Sequence, residues 1–358
     1  MKTEKGEKVI FHQSTFEHWP IEDNSVQAII TSPPYWGLRK YDIPDVVIGG
    51  RKECEHEWAG EINPHGNGDG KSFRRDDAGN LKKGGQMSNV CPHCGAWKGQ
   101  YGLEPTYQIY IEHTSLWAEE AWRVLKDDGV FFLNSGDSYA GNATGSQGQQ
   151  KSTLGAGKST QIESGKRPDK AGPPKCKLLI PHRISIALID AGWTVRNDCI
   201  WFKPNAMPES VTDRFSKKFE YIFMLTKNEK YHFDLDAVLE RYQRDKRKVT
   251  TVKNIKDGTP YRTGPRERWP KEGKNPGDVW EIPTQPSPEA HYAMWPEKLV
   301  ERMILCSTRP ADTVLDPFAG SGTTLRVAEK LNRQPMGIDL GYQEIQERRM
   351  SEIQKRLL

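Results

Sequence analysis

Short apolar runs alternate with amphipathic stretches over much of the chain, and their spacing predicts strands alternating with helices. "KVIF" and "SVQAIIT" read as two strands. The second runs into Ser32-Pro33-Pro34-Tyr35-Trp36, a stiff turn that displays aromatics at the strand's carboxyl end. "HTSLWAEEAWRVLKDDG" puts Leu116, Ala121, Val124 and Leu125 on one helical face, and Gly129 suits the exit from a helix. The strand "VFFLNSG", the helix "PHRISIALIDAG" and the strands "TVRNDCIWFK" and "EYIFMLT" follow. Near the C-terminus "TVL" reads as a strand, "DPFAGSG" as a tight turn, "TTLRVAEKL" as a helix and "PMGIDL" as a strand ending on Asp339. This alternation predicts an α/β fold with a mostly parallel sheet covered by helices.

Three stretches depart from the pattern. Residues 50–106 are rich in Gly, Asn, Asp and Lys and read as an insertion. Residues 137–177 are polar and rich in Gly, Ser and Lys, which predicts a mobile loop. Residues 236–278 turn strongly basic. Between Glu240 and Lys274 there are 12 Lys and Arg against 5 Asp and Glu, a local charge of +7 in a chain whose formal net charge is +4. Tyr242, Tyr261 and Trp269 are interleaved with that charge, so the segment is a candidate for nucleic-acid contact through Arg241, Arg244, Lys246, Arg247, Lys248, Arg262, Arg266 and Arg268.

With 358 residues the chain can bury a sizeable core. It has no apolar run near the roughly 20 residues that a membrane helix requires, and "MKTEKGEKVIFHQ" lacks the apolar core of a signal peptide. The expectation is a soluble, cytoplasmic protein without a membrane partner.

The six cysteines do not form a disulfide framework. Cys176, Cys199 and Cys306 read as free thiols. "CEHEW" and "CPHCG" in the insertion offer Cys54, His56, Cys91 and Cys94 as a tetrahedral set for a structural zinc, with His93 as a competing fourth ligand. Such a metal would hold together an insertion that otherwise lacks a core.

In the C-terminal part, Gly320 and Gly322 let the backbone approach a ligand, and Asp339 can accept hydrogen bonds from two ribose hydroxyls. No third glycine completes a dinucleotide fingerprint, and Asp316 would repel a pyrophosphate. A carboxylate there suits a ligand with a positive amino group, such as the methionine part of S-adenosylmethionine.

Taken together, Ser32-Pro33-Pro34-Tyr35, the loop Asp316-Pro317-Phe318-Ala319-Gly320-Ser321-Gly322 and "HYAMWPEKLVERMI" resemble the three motifs of the DNA amino-methyltransferases. Their order, catalytic motif before cofactor loop, is that of the β class. The resemblance implies a Rossmann-like S-adenosylmethionine-dependent methyltransferase fold with circularly permuted motif order and, here, a zinc-binding insertion. It divides the chain into a catalytic half (1–49 and 107–235), the insertion (50–106), the loop within the catalytic half (137–177), a basic target-recognition segment (236–278) and a cofactor-binding half (279–358). It assigns S-adenosyl-L-methionine to Asp316, Pro317, Phe318, Gly320, Gly322, Thr323 and Asp339, with Trp295, Pro296 and Lys298 from the helix that closes over its methionine end.

An exocyclic amino group is a poor nucleophile because its lone pair is delocalised into the base. The site must hold the amino hydrogens with acceptors, and Ser32 Oγ and the Pro33 carbonyl are expected to do so. Pro34 stiffens the turn, and Tyr35 would stack on a base rotated out of double-stranded DNA. Trp36 either extends that wall or belongs to the core. Cytosine-C5 chemistry is excluded, because no nucleophilic cysteine lies near the turn.

Ser at the first position of the turn, after Thr31, resembles the cytosine-N4 enzymes, with adenine-N6 as the alternative. A catalytically inactive nucleic-acid-binding protein of the same fold is the second class. Methylation of a protein amide is disfavoured by Ser32 and the motif order. No nuclease constellation is visible, so the chain is expected to be either an orphan methyltransferase or one half of a pair whose restriction endonuclease is a separate chain. His113 and His182 read as capping or packing groups at helix starts, and Lys203, Arg214, Lys217 and Lys218 as phosphate contacts or a solvated face.

Overall fold

The computed structural model describes residues 9–11, 16, 18–41, 43–58, 89–140, 171–240, 250–253, 260–263, 273–285 and 295–341. In chain order the strands are β1 (Val9–Phe11), β2 (Val26–Thr31), β3 (Val46–Ile48), β4 (Trp97–Gly99), β5 (Leu125–Ser135), β6 (Thr194–Phe202), β7 (Phe219–Thr226), β8 (Thr250–Lys253), β9 (Pro260–Thr263), β10 (Val279–Glu281), β11 (Thr313–Asp316) and β12 (Gln334–Ile338). The α-helices are α1 (Tyr107–Val124), α2 (Ile180–Asp190), α3 (Glu297–Ser307) and α4 (Thr323–Lys330). Among the described residues no helix is long and apolar enough to cross a membrane.

Eight strands form the central sheet in the order β1-β12-β11-β2-β5-β7-β6-β10. Pairing is parallel from β1 through β5 and between β6 and β10. Only β7 runs against its neighbours, β5 and β6. Side chains alternate across the pleat, so each central strand feeds two cores. Ile29, Phe131, Leu133 and Phe223 pack with Tyr110 and Trp117 of α1 and Ile184 and Leu188 of α2. Ala28, Ile30, Phe132 and Met224 pack with Leu299, Met303 and Ile304 of α3 and Val327 and Ala328 of α4 on the other face. The mostly parallel sheet with helices on both faces is therefore present.

Two local readings change. Helix α1 starts at Tyr107 rather than His113, because Thr106 caps it by accepting the Ile109 amide at 3.3 Å. It stops at Val124, where the chain becomes extended at Leu125 and continues directly into β5, so Gly129 lies in a strand. His113 is consequently a mid-helix residue, buried between Trp97, at a ring separation of 5.7 Å, and Glu104, whose carboxylate is 3.1 Å from its Nδ1. His182 does sit in the first turn of α2, with its ring 4.5 Å from that of Tyr221.

The described part of the insertion is not coreless. Val90, Trp97 and Tyr101 belong to the first core, and β3 and β4 form an antiparallel ribbon. Most of the loop at 137–177, residues 141–170, lies outside the described residues, as do residues 59–88 of the insertion.

Candidate active site

Strand β2 delivers its turn at the carboxyl edge of the sheet, directly beside β11. The two strands pair Val314 with Ala28 and Leu315 with Ile29. This pairing brings Thr31 to Asp316, 285 positions away in sequence, where the Thr31 hydroxyl donates to Asp316 Oδ1 at 2.7 Å. The two motifs of the sequence thus open onto one cavity. Ser32 and Pro34 line it from the turn, while Asp316, Pro317, Phe318, Gly320, Thr323 and Asp339 line it from the glycine loop and its flanking elements. Trp295, just ahead of α3, completes that side.

The turn itself is held by side chains from other elements. Asn134, near the end of β5, donates through Nδ2 to the Tyr221 carbonyl at 3.0 Å, which aims its Oδ1 at the turn. That oxygen accepts from Ser32 Oγ at 3.0 Å and lies 2.7 Å from the Tyr35 hydroxyl. The Tyr35 hydroxyl is also 3.0 Å from Glu220 Oε2, and Glu220 is ion-paired with Lys203. Because β7 is antiparallel to β5, its N-terminal end, with Glu220, falls beside the C-terminal end of β5 and thus beside the turn.

Burial first, and then the Glu220 charge, push the Tyr35 phenol well above its ordinary value, so it is a neutral donor. The residue as a whole is half-buried. The Pro34 carbonyl accepts from the Tyr110 hydroxyl at 2.9 Å. No hydrogen bond to the Pro33 carbonyl is present among the described residues. Trp36 resolves to the core: it is 4% exposed and donates to the Glu104 carbonyl at 2.9 Å.

The glycine loop is organised by its own acids. Asp316 accepts from the Phe318 amide at 3.1 Å and, on its other oxygen, from the Thr324 hydroxyl at 2.7 Å. Burial raises Asp316 to about 6, against the opposing pull of the Thr324 and Thr31 hydroxyls. Asp339 accepts from the Gly320 amide at 2.6 Å and the Gly341 amide at 2.9 Å. Gly320 and Gly322 have φ of 50° and 77°, left-handed conformations that let the loop reverse into α4. Phe318 stacks on Tyr101 at 5.5 Å and meets Trp117 edge-on. Gly322 caps α4, Pro296 caps α3, and Lys298 is exposed on α3, so none of these three reaches the cavity wall.

A third contributor was not legible in the motifs. Tyr41, Ile43, Pro44 and Val46 before and in β3, with Gln100 and Tyr101 after β4 and with Phe16 ahead of β2, form another wall. Asn134 and Glu220 were also missed, although a polar Asn-Ser pair ending the otherwise apolar strand "VFFLNSG" was an available signal. Lys203, Arg214 and Lys217 prove to be engaged within the protein, with Glu220, Glu209 and the Asp137 carbonyl respectively.

Cys54, His56, Cys91 and Cys94 converge, with ligand atoms all within 4.8 Å of one another. His93 is turned away toward Glu57, 3.1 Å from its carboxylate. Burial opposes ionisation of Cys91, but hydrogen bonds from the His93 amide and the His56 ring outweigh it and bring that thiol down to about 6. Burial and the adjoining Cys94 and Cys91 thiols push Cys54 up to about 11.

Of the recognition residues, Arg241, Arg244, Lys246, Arg247, Lys248, Arg266 and Arg268 lie outside the described residues. Arg262 is on β9, which pairs with β8 in a separate two-stranded sheet.

A permuted Rossmann-like sheet, with a glycine loop and an acid-ended strand facing a Ser-Pro-Pro-Tyr turn, defines a β-class amino-methyltransferase. The profile of the N6_N4_Mtase family, described as DNA methylase, matches residues 26–349, and the chain belongs to that family. It is 33% identical over 322 residues to the Type II methyltransferase M.Cfr9I of Citrobacter freundii, covering 89% of this chain and 79% of that protein. It is 30% identical over 321 residues to the Type II methyltransferase M.SmaI of Serratia marcescens, covering 89% and 82%. Among solved structures, the PvuII DNA methyltransferase, described as cytosine-N4-specific, shares the fold with a TM-score of 0.53 at 17% identity, covering 92% of this chain and 81% of that one.

Proposed function

We propose that the protein is a site-specific DNA methyltransferase that uses S-adenosyl-L-methionine to methylate the exocyclic amino group of a base rotated out of double-stranded DNA, with cytosine N4 as the target. The observation that carries this reading is that Ser32, Asp316 and Asp339 line one cavity. The residues fit the cofactor: Asp339 suits ribose hydroxyls, the Gly320 backbone admits an adenosine, and the buried Asp316 suits an ammonium group. When bound, S-adenosyl-L-methionine supplies an electrophilic methyl group on a sulfonium.

The protein's own task is to make the amino nitrogen attack. Ser32 Oγ donates its hydrogen to Asn134, which leaves its lone pairs for an amino hydrogen of the base. The Pro33 carbonyl provides a second acceptor. Two acceptors favour a more tetrahedral nitrogen whose lone pair is released from the ring. Tyr35 is fixed at its hydroxyl, so its ring can present a face to the base. As a neutral phenol it holds its proton rather than acting as a base.

Cytosine is favoured over adenine by the Thr31-Ser32 start of the turn, whose resemblance is to the cytosine-N4 enzymes. Mass spectrometry of nucleosides from DNA methylated by the purified protein tests this. N4-methylcytosine is expected, and N6-methyladenine in its place would overturn the base assignment while leaving the roles of Ser32 and Tyr35 standing.

Target recognition is assigned to the basic segment 236–278. Neutralising several of Arg241, Arg244, Lys246, Arg247 and Lys248 should flatten the salt dependence of DNA affinity, because fewer counterions are released. An unchanged slope would move recognition elsewhere. The Cys54, His56, Cys91 and Cys94 set is assigned a structural zinc, on the softness of its donors and their convergence. A restriction endonuclease on a separate chain is the companion expected for a methyltransferase of this kind.

A further inference from the structure

The metal-ligand cluster and the cofactor cavity lie at opposite ends of one ribbon. Strands β3 and β4 pair Ile48 with Trp97 at one end and Val46 with Gly99 at the other. Beyond the Ile48 end come the ligands, Cys54 and His56 following β3, and Cys91 and Cys94 preceding β4. Beyond the Val46 end comes the cavity wall, with Tyr41 and Ile43 on one side and Gln100 and Tyr101 on the other.

The link at the cavity end is specific. Gln100 Nε2 donates to the carbonyls of Tyr41 at 3.0 Å and Ile43 at 2.7 Å, and its Oε1 accepts from the Tyr41 amide at 2.9 Å. One side chain from the end of β4 therefore holds both Tyr41 and Ile43 ahead of β3. Tyr101, the next residue, stacks on Phe318 of the glycine loop.

At the ligand end the chain is equally close-packed. The Cys91 amide donates to the Ala96 carbonyl at 2.7 Å and the Gly95 amide to the Cys91 carbonyl at 2.9 Å, which shapes the knuckle. Gly50, at φ 86°, lies against it so closely that a Cβ there would sit 2.5 Å from the Ala96 Cβ and 2.8 Å from Cys94 Sγ. Cys54 Sγ is 3.9 Å from Cys91 Sγ, and Cys94 Sγ is 3.4 Å from His56 Nδ1.

The ribbon buries Ile48 and Trp97 in the main core, but its two three-residue strands have no tight turn to close them, because Cys54 and Cys91 are 37 positions apart. The ligand end, where Cys54 and His56 come from one arm and Cys91 and Cys94 from the other, is where a clamp would join the two. We propose that Zn²⁺ on Cys54, His56, Cys91 and Cys94 is that clamp, and that its occupancy sets cofactor affinity by fixing, through the ribbon and Gln100, the wall formed by residues 41–46 and 100–101. This rests on the reading that the cavity binds S-adenosyl-L-methionine. Loss of the metal frees the ligand end, the strands part from that end, and the Gln100 clip loses the backbone it depends on. The glycine loop, anchored to β2 and β12, stays in place, so the effect is on affinity rather than on the fold of the sheet.

The test uses the full-length protein, purified without chelators, with zinc measured by plasma mass spectrometry. The affinity for S-adenosylhomocysteine is then measured by calorimetry before chelation, after chelation under reducing conditions, and after return of one equivalent of Zn²⁺. One zinc per chain, at least a tenfold weaker Kd in the metal-free protein and recovery on reconstitution are expected.

Since the metal-free protein could unfold more widely, Gln100→Ala in the zinc-loaded protein provides the second arm. It should weaken S-adenosylhomocysteine binding severalfold with zinc still bound, and chelation should then cost less than it does in the wild type, because both changes cut the same connection. No zinc in the untreated protein, equal affinity with and without zinc, or an unaffected Gln100→Ala would each overturn the inference while leaving the methyltransferase reading intact. Zinc-loaded wild-type protein that fails to bind S-adenosylhomocysteine would overturn the cavity assignment and this inference with it.

Discussion

The Ser32–Tyr35 turn and the Asp316–Gly322 loop end adjacent parallel strands and face the same cavity, yet they are held by opposite means. The polar contacts of the loop after β11 are mostly local: Asp316 binds the amide of Phe318 and the hydroxyl of Thr324, Asp339 binds the amide of Gly320, and the remote partners are Thr31 and the rings of Tyr101 and Trp117 packed on Phe318. The turn after β2 depends on partners 76 to 185 positions away, Tyr110, Asn134 and Glu220. A loop that organises itself can be read from seven consecutive residues. A turn that borrows its geometry can be recognised by its prolines, but its working parts cannot.

The same contrast predicts that substitutions around the turn affect the chemical step and those around the loop affect cofactor binding. The largest effect is expected for Ser32→Ala, which removes the acceptor proposed for the reacting amino group. Single-turnover transfer of labelled methyl groups should slow by about 10²- to 10³-fold. Cofactor affinity by calorimetry should stay within about twofold, and a parallel loss of both would erase the distinction between the two regions. Asn134→Ala should slow transfer by about 10²-fold in the same assay, because it frees the Ser32 hydroxyl to rotate its hydrogen toward the substrate.

On the loop side, Asp339→Ala should weaken cofactor binding by about 1 to 3 kcal/mol, the cost of losing a charged acceptor. Unchanged affinity in that variant would sink the assignment.

Next in size is a pH effect at Asp316, which burial holds at about 6 in the free protein. A cationic amino group beside it favours the carboxylate, so the bound-state value lies lower. Affinity should therefore be flat above pH 6 and fall as pH drops below it, by at most about tenfold per unit. Calorimetry from pH 5 to 8 checks the direction, and affinity that rises on acidification would show that the ligand's positive group sits elsewhere.

The smallest effect is expected for Glu220→Gln. The amide can still meet the Tyr35 hydroxyl but no longer pairs as a charge with Lys203, so transfer should slow only a few-fold. A loss as large as that of Asn134→Ala would mean that the carboxylate itself takes part in the reaction.

The apolar runs determined the strands, their alternation with helices and the two-faced core, because burial on both sides of a sheet requires continuous β-branched and aromatic segments. "VQAII" and "VFFL" carry that requirement without help from the rest of the chain. The glycine loop and its acids were equally legible, since Asp316, Gly320 and Gly322 act through local backbone geometry. The convergence of the Cys54–His56 and Cys91–Cys94 pairs was legible because ligand type and short spacing are both sequence properties. What only the tertiary structure decided is who meets whom across the sheet edge. The antiparallel course of β7 brings Glu220 beside Tyr35, the end of β5 sets Asn134 under Ser32, and a ribbon from the supposed insertion becomes a wall of the cavity through Gln100. These are long-range contacts fixed by strand order and register, and a local pattern of residues does not encode them.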